Sequence, residues 1–291
     1  MRARLRSCLV ILGLFSALTV TAAPNAVVDA LQAPAWVERG ERRLPLTPGM
    51  ALENRDRVLT GNGARAIIQF ADGSAVKLGE NVNVTVNALN QPKNGVFTAA
   101  LDVAKGAFRL TTDIFRKFQD QRAINIRTGT VTIGIRGTDL WGRSDSEKDF
   151  VCLLEGRISV SHPLGEPAEL SEPLQYYGAD KGQAPGPVAS VDKAQLLKWS
   201  LETELQDSAG TQQQGGRWAL RYGRYSNGDA LALYDRLSAA GYATKIKPFR
   251  FGGGYIYEVR LMQLVTEREA HALADKLARD LQAPTPTISR L

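Results

Sequence analysis

The sequence predicts two folded units in series. The first is an all-β N-terminal domain of sandwich or barrel-like form. The second is a small α+β C-terminal domain in βαββαβ order, with a four-stranded antiparallel sheet and two helices on one face. Three observations lead there. Residues 36–161 hold many short apolar runs, several alternating with period two, at close spacing. Residues 163–190 lose that pattern and gather five prolines. The last 75 residues contain one pattern twice, offset by 40 positions.

The chain opens with Arg2, Arg4 and Arg6, then an apolar run from Cys8 to Val20, then small residues at Thr21, Ala22 and Ala23. Positive, apolar and small in that order is the pattern of a secretory signal peptide over residues 1–22, cleaved after Ala22. The apolar run is shorter than the roughly 20 residues that span a bilayer. The expectation is an exported, periplasmic protein with no transmembrane segment after cleavage. Cleavage removes three arginines and no acids, so the formal charge falls from +6 to +3. The pI of 9.4 therefore overstates the basic character of the mature chain, and nucleic acid is not an expected partner.

Within the β domain, residues 36–162, Asn81 to Asn87 alternate as a half-buried strand. Ala66 to Phe70 and Ala75 to Leu78 flank Asp72-Gly73, a strong hairpin signal because both turn residues tolerate positive φ. Further strands are expected at 124–126, 131–135, 150–154 and 157–161, with a turn at Glu155-Gly156 between the last two and a short helix at 111–121. Cys152 sits in an apolar run and reads as a small buried hydrophobe. Residues 163–216 read as a linker with one helix at 192–205, capped by Asp192, with Leu196, Leu197 and Leu201 on one face.

In the C-terminal repeat, 218–237 matches 258–277. Each copy has a strand, then a hydroxyl residue (Ser226, Thr266) with an acid three positions later (Asp229, Glu269), which is capping-box spacing. Ala, Leu and Leu follow at i, i+3 and i+7 as a core-facing stripe, and a further strand closes the copy. Helices on one face leave the other sheet face open, a platform for a long ligand. Alternation puts Leu220, Tyr222, Val259 and Leu261 under the helices and Ala219, Arg221, Ile256, Glu258 and Arg260 outward. Tyr255 and Tyr257, beside Gly252 to Gly254, are the aromatic candidates at the groove edge, although simple alternation points Tyr257 inward.

The run Trp218-Ala219-Leu220-Arg221-Tyr222-Gly223-Arg224-Tyr225, the helix start Ser226 to Ala230 and the strand Tyr257 to Leu261 resemble the SPOR domain over residues 217–290. That resemblance implies a module that binds peptidoglycan, specifically glycan strands stripped of stem peptides, on the open sheet face. The candidate glycan-binding residues are then Arg221, Tyr255, Tyr257, Glu258 and Arg260. Arg221 stands where the family favours Gln, and Met262-Gln263 replaces a Gly-Pro. Thr60 to Arg65, Ala71 to Ser74, Leu78 to Glu80, Ile133 to Asp139 and Leu154 to Arg157 resemble the FecR domain family. Namesakes of that family are membrane signal transducers with an anti-sigma segment and a transmembrane helix, in whose place this chain is expected to carry only a cleavable signal. The β domain is therefore expected to be an interaction or sensing module whose partner is another envelope or division protein. A periplasmic signalling component is the alternative role. Arg136 and Asp139 read as residues that pair with each other or bond backbone groups and so fix a bend.

The two histidines, His162 and His271, stand apart, and no His-x-x-x-His, Cys-x-x-Cys or Gly-x-Ser-x-Gly occurs. Asp145 and Glu147 lie in a polar turn rather than across a cleft. No catalytic residue, metal or cofactor is expected.

Overall fold

The computed structural model describes residues 24–90, 96–112 and 122–291, leaving aside the side chains of Arg122 and Arg136. The expected signal peptide and most of the expected helix at 111–121 lie outside the described residues, and Thr111 ends a strand.

The N-terminal domain is a sandwich of two sheets around one apolar core. One sheet runs β1 (Ala26–Gln32), β5 (Arg65–Phe70), β6 (Ala75–Leu78), the second half of β8 (Phe97–Thr111), the second half of β10 (Thr132–Ser144), the first half of β11 (Lys148–His162), β13 (Gln175–Asp180) and β14 (Ala189–Ser190). The other runs β3 (Arg42–Pro45), β2 (Ala35–Arg39), β4 (Arg57–Thr60), β7 (Asn83–Asn90), the first half of β8, β9 (Arg122–Arg127), the first half of β10, the second half of β11 and β12 (Gly165–Leu170). Leu110, Leu140 and Leu153 from the first sheet join Val58, Val84 and Ile133 from the second in one buried cluster.

Three long strands therefore belong to both sheets. Each changes sheet at a glycine in left-handed backbone: Gly106 (φ 98°), Gly137 (φ 76°) and Gly156 (φ 89°). A Cβ on Gly156 would lie 2.2 Å from the Gly137 carbonyl oxygen, so no side chain fits that corner. The sequence expects a chain reversal at Glu155-Gly156; the chain instead bends there and continues, and the two expected strands are one, β11. The Asp72-Gly73 hairpin forms as expected: Asp72 accepts from the Ser74 amide (3.0 Å) and hydroxyl (2.6 Å).

The proline-rich stretch 163–190 differs from a linker. It carries β12, β13 and β14, with Pro163, Pro173, Pro185 and Pro187 between strands. Pro167 lies in β12, which among the described residues pairs only with β11, and an edge strand tolerates a missing donor. Helix α1 (Lys193–Leu201) is capped by Asp192, whose carboxylate accepts the Gln195 amide at 2.8 Å. Leu197 and Leu201 do not face a core; they are 63% and 58% exposed. Trp199 holds the helix instead, stacked on Trp141 at 5.1 Å and edge-on to Phe150 at 4.5 Å. The two-residue strand β15 (Gln212–Gln213) then pairs with β1.

The C-terminal domain follows the predicted order: β16 (Trp218–Tyr225), α2 (Asn227–Ala239), β17 (Thr244–Phe251), β18 (Gly254–Leu264), α3 (Glu267–Leu281) and β19 (Thr287–Arg290). The sheet order is β17-β18-β16-β19, antiparallel throughout. Ser226 and Thr266 cap the helices by accepting the Asp229 and Glu269 amides, each at 3.2 Å. Ala230, Leu233 and Leu237 of α2 and Ala270, Leu273 and Leu277 of α3 bury the predicted stripes against the sheet. The domains pack directly: β15 also pairs with β18, and Ala33 O accepts from Lys276 Nζ (3.0 Å). Trp36 Nε1 donates to Ala239 O (3.2 Å), and the Ala35 amide to Gly241 O (3.2 Å).

Candidate functional site: an open sheet face beside an interdomain cleft

Strand alternation decides what the open face carries. Leu220, Tyr222, Val259 and Leu261 are fully buried on the helix side. The register then aligns rows on the opposite side: Arg221, Arg260 and Lys245 in one, Glu258 and Lys247 in the next, Ile256 and Phe249 beyond them. Glu258 is the one carboxylate in these rows. It accepts from Arg260 Nε and lies 3.7 Å from Arg221 Nε. Among the described residues, Lys245 and Lys247 pair with no carboxylate, so the face keeps a cationic excess.

Phe249, on the edge strand β17, gathers three cations over its ring. Its ring lies under Lys247 Nζ at 5.2 Å, under the Arg224 guanidinium at 5.7 Å and under that of Arg260 at 5.8 Å. Arg221 and Arg260 are expected to face solvent. Both are on the open side, but the Arg260 side chain is only 11% exposed against 34% for Arg221. Its guanidinium is folded onto Glu258 and Phe249, which covers it. Tyr255 is exposed at the start of β18, near the turn after β17. Tyr257 turns to the helix side, packs against the core and pairs in register with Tyr225. Inspection of residues 243–248 alone misses Phe249, because the proline at 248 reads as the end of a strand. β17 continues to Phe251 through Pro248, which an edge strand allows. Carrying the alternation of β18 across to its partner would have found Lys245, Lys247 and Phe249.

The face ends at a cleft of about 600 Å³ between the domains. One wall is the end of β3, with Leu44 and Pro45, and the following loop, with Thr47 and Met50; the other includes Tyr234, Ser238, Lys245, Arg260 and Met262. Lys245 and Arg260 thus belong to the cleft and to the open face.

Behind the site, Glu269 has a role that the capping-box spacing did not announce. Its buried carboxylate accepts four successive amides of the preceding segment: Ser208 (2.8 Å), Ala209 (3.0 Å), Gly210 (2.6 Å) and Thr211 (2.9 Å). Asp139 pairs in two-pronged fashion with Arg109 (3.0 and 2.7 Å). The Arg136 side chain expected to meet it lies outside the description. Arg109 also reaches Glu204 (3.0 Å), which Lys77 holds at 2.6 Å. Cys152 is buried, and burial pushes its thiol up to about 12, so it stays protonated at neutral pH.

Comparison with curated proteins finds no match. Among solved structures, two crystal structures described provisionally as an anti-sigma factor from Parabacteroides distasonis ATCC 8503 are similar at TM-scores of 0.41 and 0.40. They are 13% and 12% identical, over 80% and 81% of this chain and 97% and 99% of theirs. The model of the family described as FecR protein matches residues 56–159, and that of the SPOR domain matches residues 214–290. The chain carries a FecR domain followed by a SPOR domain.

Proposed function

We propose that this chain is an exported, non-enzymatic envelope protein that binds peptidoglycan through its SPOR domain, with the FecR domain as an interaction or sensing module toward another envelope or division protein. SPOR domains bind peptidoglycan. The observation that carries the reading is the open sheet face, with Arg224, Lys247 and Arg260 over the Phe249 ring and Arg221 and Lys245 in the row of Arg260. A glycan strand stripped of its peptides bears a free carboxylate on every second sugar. Cations spaced along the face match such a strand, and a ring supplies contact to sugar faces. Arg221, Glu258 and Arg260 supply hydrogen bonds, with Tyr255 at the groove edge. Tyr257 supports this face from the helix side.

The periplasm is the compartment this reading requires, and among the described residues no helix is long and apolar enough to cross a membrane. The test is retention of the full chain on purified sacculi, with and without amidase treatment that strips the peptides. Amidase treatment is expected to raise retention, and Arg221→Ala with Lys247→Ala to lower affinity about ten-fold without moving the thermal midpoint. Absence from both pellets overturns the reading.

A further inference from the structure

The cleft between the domains continues the open face, and this continuity has a functional meaning. Lys245 and Arg260 stand at the junction, with their β17 and β18 neighbours Lys247 and Glu258 on the face side and Thr244 and Met262 on the cleft side. Across the cleft the wall is not part of the SPOR domain at all. Leu44, Pro45, Thr47 and Met50 come from the N-terminal domain, and Gln212 from the connecting segment. The lining has the composition of a sugar site: apolar surfaces at Pro45, Met50 and Tyr234, hydroxyl and amide groups at Thr47, Ser238 and Gln214, and the two cations. The walls are tied at Gln263, which lies 3.4 Å from the Thr47 hydroxyl, and by the β1–β15–β18 pairing behind them.

We infer that the glycan site is composite: a carboxylate-bearing polysaccharide strand on the open face runs on into the interdomain cleft, where the N-terminal domain's β3–β4 loop contacts it. This deepens the peptidoglycan reading and rests on it. The loop adds contacts only for a strand long enough to pass Lys245 and Arg260. The N-terminal domain therefore sets the preferred strand length, while the sheet face alone recognises a short fragment. Lys245, unpaired with any described carboxylate, offers its ammonium to a sugar carboxylate at the point of passage.

The experiment uses the full chain and peptide-free glycan fragments of two lengths, a tetrasaccharide and a mixture of long strands, with affinities measured by calorimetry. Thr47→Trp fills the cleft from the N-terminal side without altering the SPOR domain; Thr47→Ser keeps the hydroxyl. Expected are an about ten-fold weaker affinity of Thr47→Trp for long strands, tetrasaccharide affinity equal to wild type, and wild-type behaviour of Thr47→Ser. Far-ultraviolet circular dichroism and the thermal midpoint establish that both variants fold; should Thr47→Trp not fold, Met50→Ala in the same loop is measured in its place with the same expected contrast. Equal affinities of wild type and the cleft variant for long strands overturn the composite site and leave the peptidoglycan reading standing. An equal loss for both lengths also overturns it, because the change then acts on the sheet face. Failure of the wild type to bind either fragment overturns the peptidoglycan reading itself.

Discussion

At the residue scale, the charges that matter most to the fold are buried acids, and their partners are far away in sequence. Asp149 is fully buried. Burial raises its pKa, but Lys181 at 2.6 Å, the Thr130 amide and hydroxyl at 2.7 and 2.6 Å, and the Ser144 hydroxyl at 2.7 Å outweigh that and hold it below the ordinary carboxylate range. The unfolded chain then binds a proton that the folded chain refuses, so stability from Asp149 rises with pH. It is complete above the unfolded value of about 3.9 and is lost as pH falls through the lower folded one. Urea titrations from roughly pH 6 down to pH 2 should therefore show a shallower loss of stability in Asp149→Asn than in wild type. Matching slopes would refute this assignment. Glu269 offers a second case. Removing its charge in Glu269→Gln leaves four amides with a weaker, one-sided acceptor, and should cost about 2–3 kcal/mol in equilibrium unfolding; a change within 0.5 kcal/mol, roughly that of an ordinary surface substitution, would show that these amides find other partners. Caps such as Ser226, Thr266 and Asp192 were legible in the sequence because cap and amide lie three residues apart. The Glu269 acceptor role was not, because its donors lie about 60 residues upstream and only packing of the connecting segment onto α3 brings them in.

At the scale of the element, local patterns were readable wherever the physics was local. Alternation in β5, β6 and β7, the Asp72-Gly73 hairpin and both repeat helices follow from side-chain period and turn chemistry. The errors share one cause: a glycine or proline has two meanings, and its neighbours in space choose between them. Gly156 was taken for a reversal and is a corner in a strand shared by two sheets. The strand from Ala243 was taken to stop at Pro248, and Pro167 was taken for part of a linker; both prolines lie inside edge strands, which tolerate a missing donor. The first error leaves the fold class intact. The second hid Phe249, the ring over which three cations of the candidate site gather. Helix α1 shows the same limit, since its leucines suggested a core face and its tryptophan makes the contact.

At the scale of the whole molecule, the two units are less separate than their sequence composition suggests. Gln32 of β1 donates to the Thr211 hydroxyl (2.8 Å) and accepts the Gln206 amide (3.1 Å), Glu204 is held by Lys77 and Arg109, and Trp199 is clamped against Trp141 and Phe150. None of these contacts is visible in a linear reading, because each needs the connecting segment to be docked. They dock the connecting segment on the N-terminal domain, and the β15–β18 pairing, Lys276 to Ala33 O and Trp36 to Ala239 O tie that domain to the SPOR domain, so scanning calorimetry of the chain should give one transition with equal calorimetric and van't Hoff enthalpies. Two resolved transitions would show that the segment between them yields first.

The two residues of β15 have a further consequence. On one side they cover the rim of β1, and on the other they cover the end of β18 at Leu264, beyond the start of β17. A SPOR fragment starting at residue 214, where that family match begins, would bare that end of β18, and an N-terminal fragment ending at residue 159, where the FecR match ends, would bare β1. Unpaired rims of this kind invite strand addition between copies. The short strand thus keeps each half from pairing with its own kind.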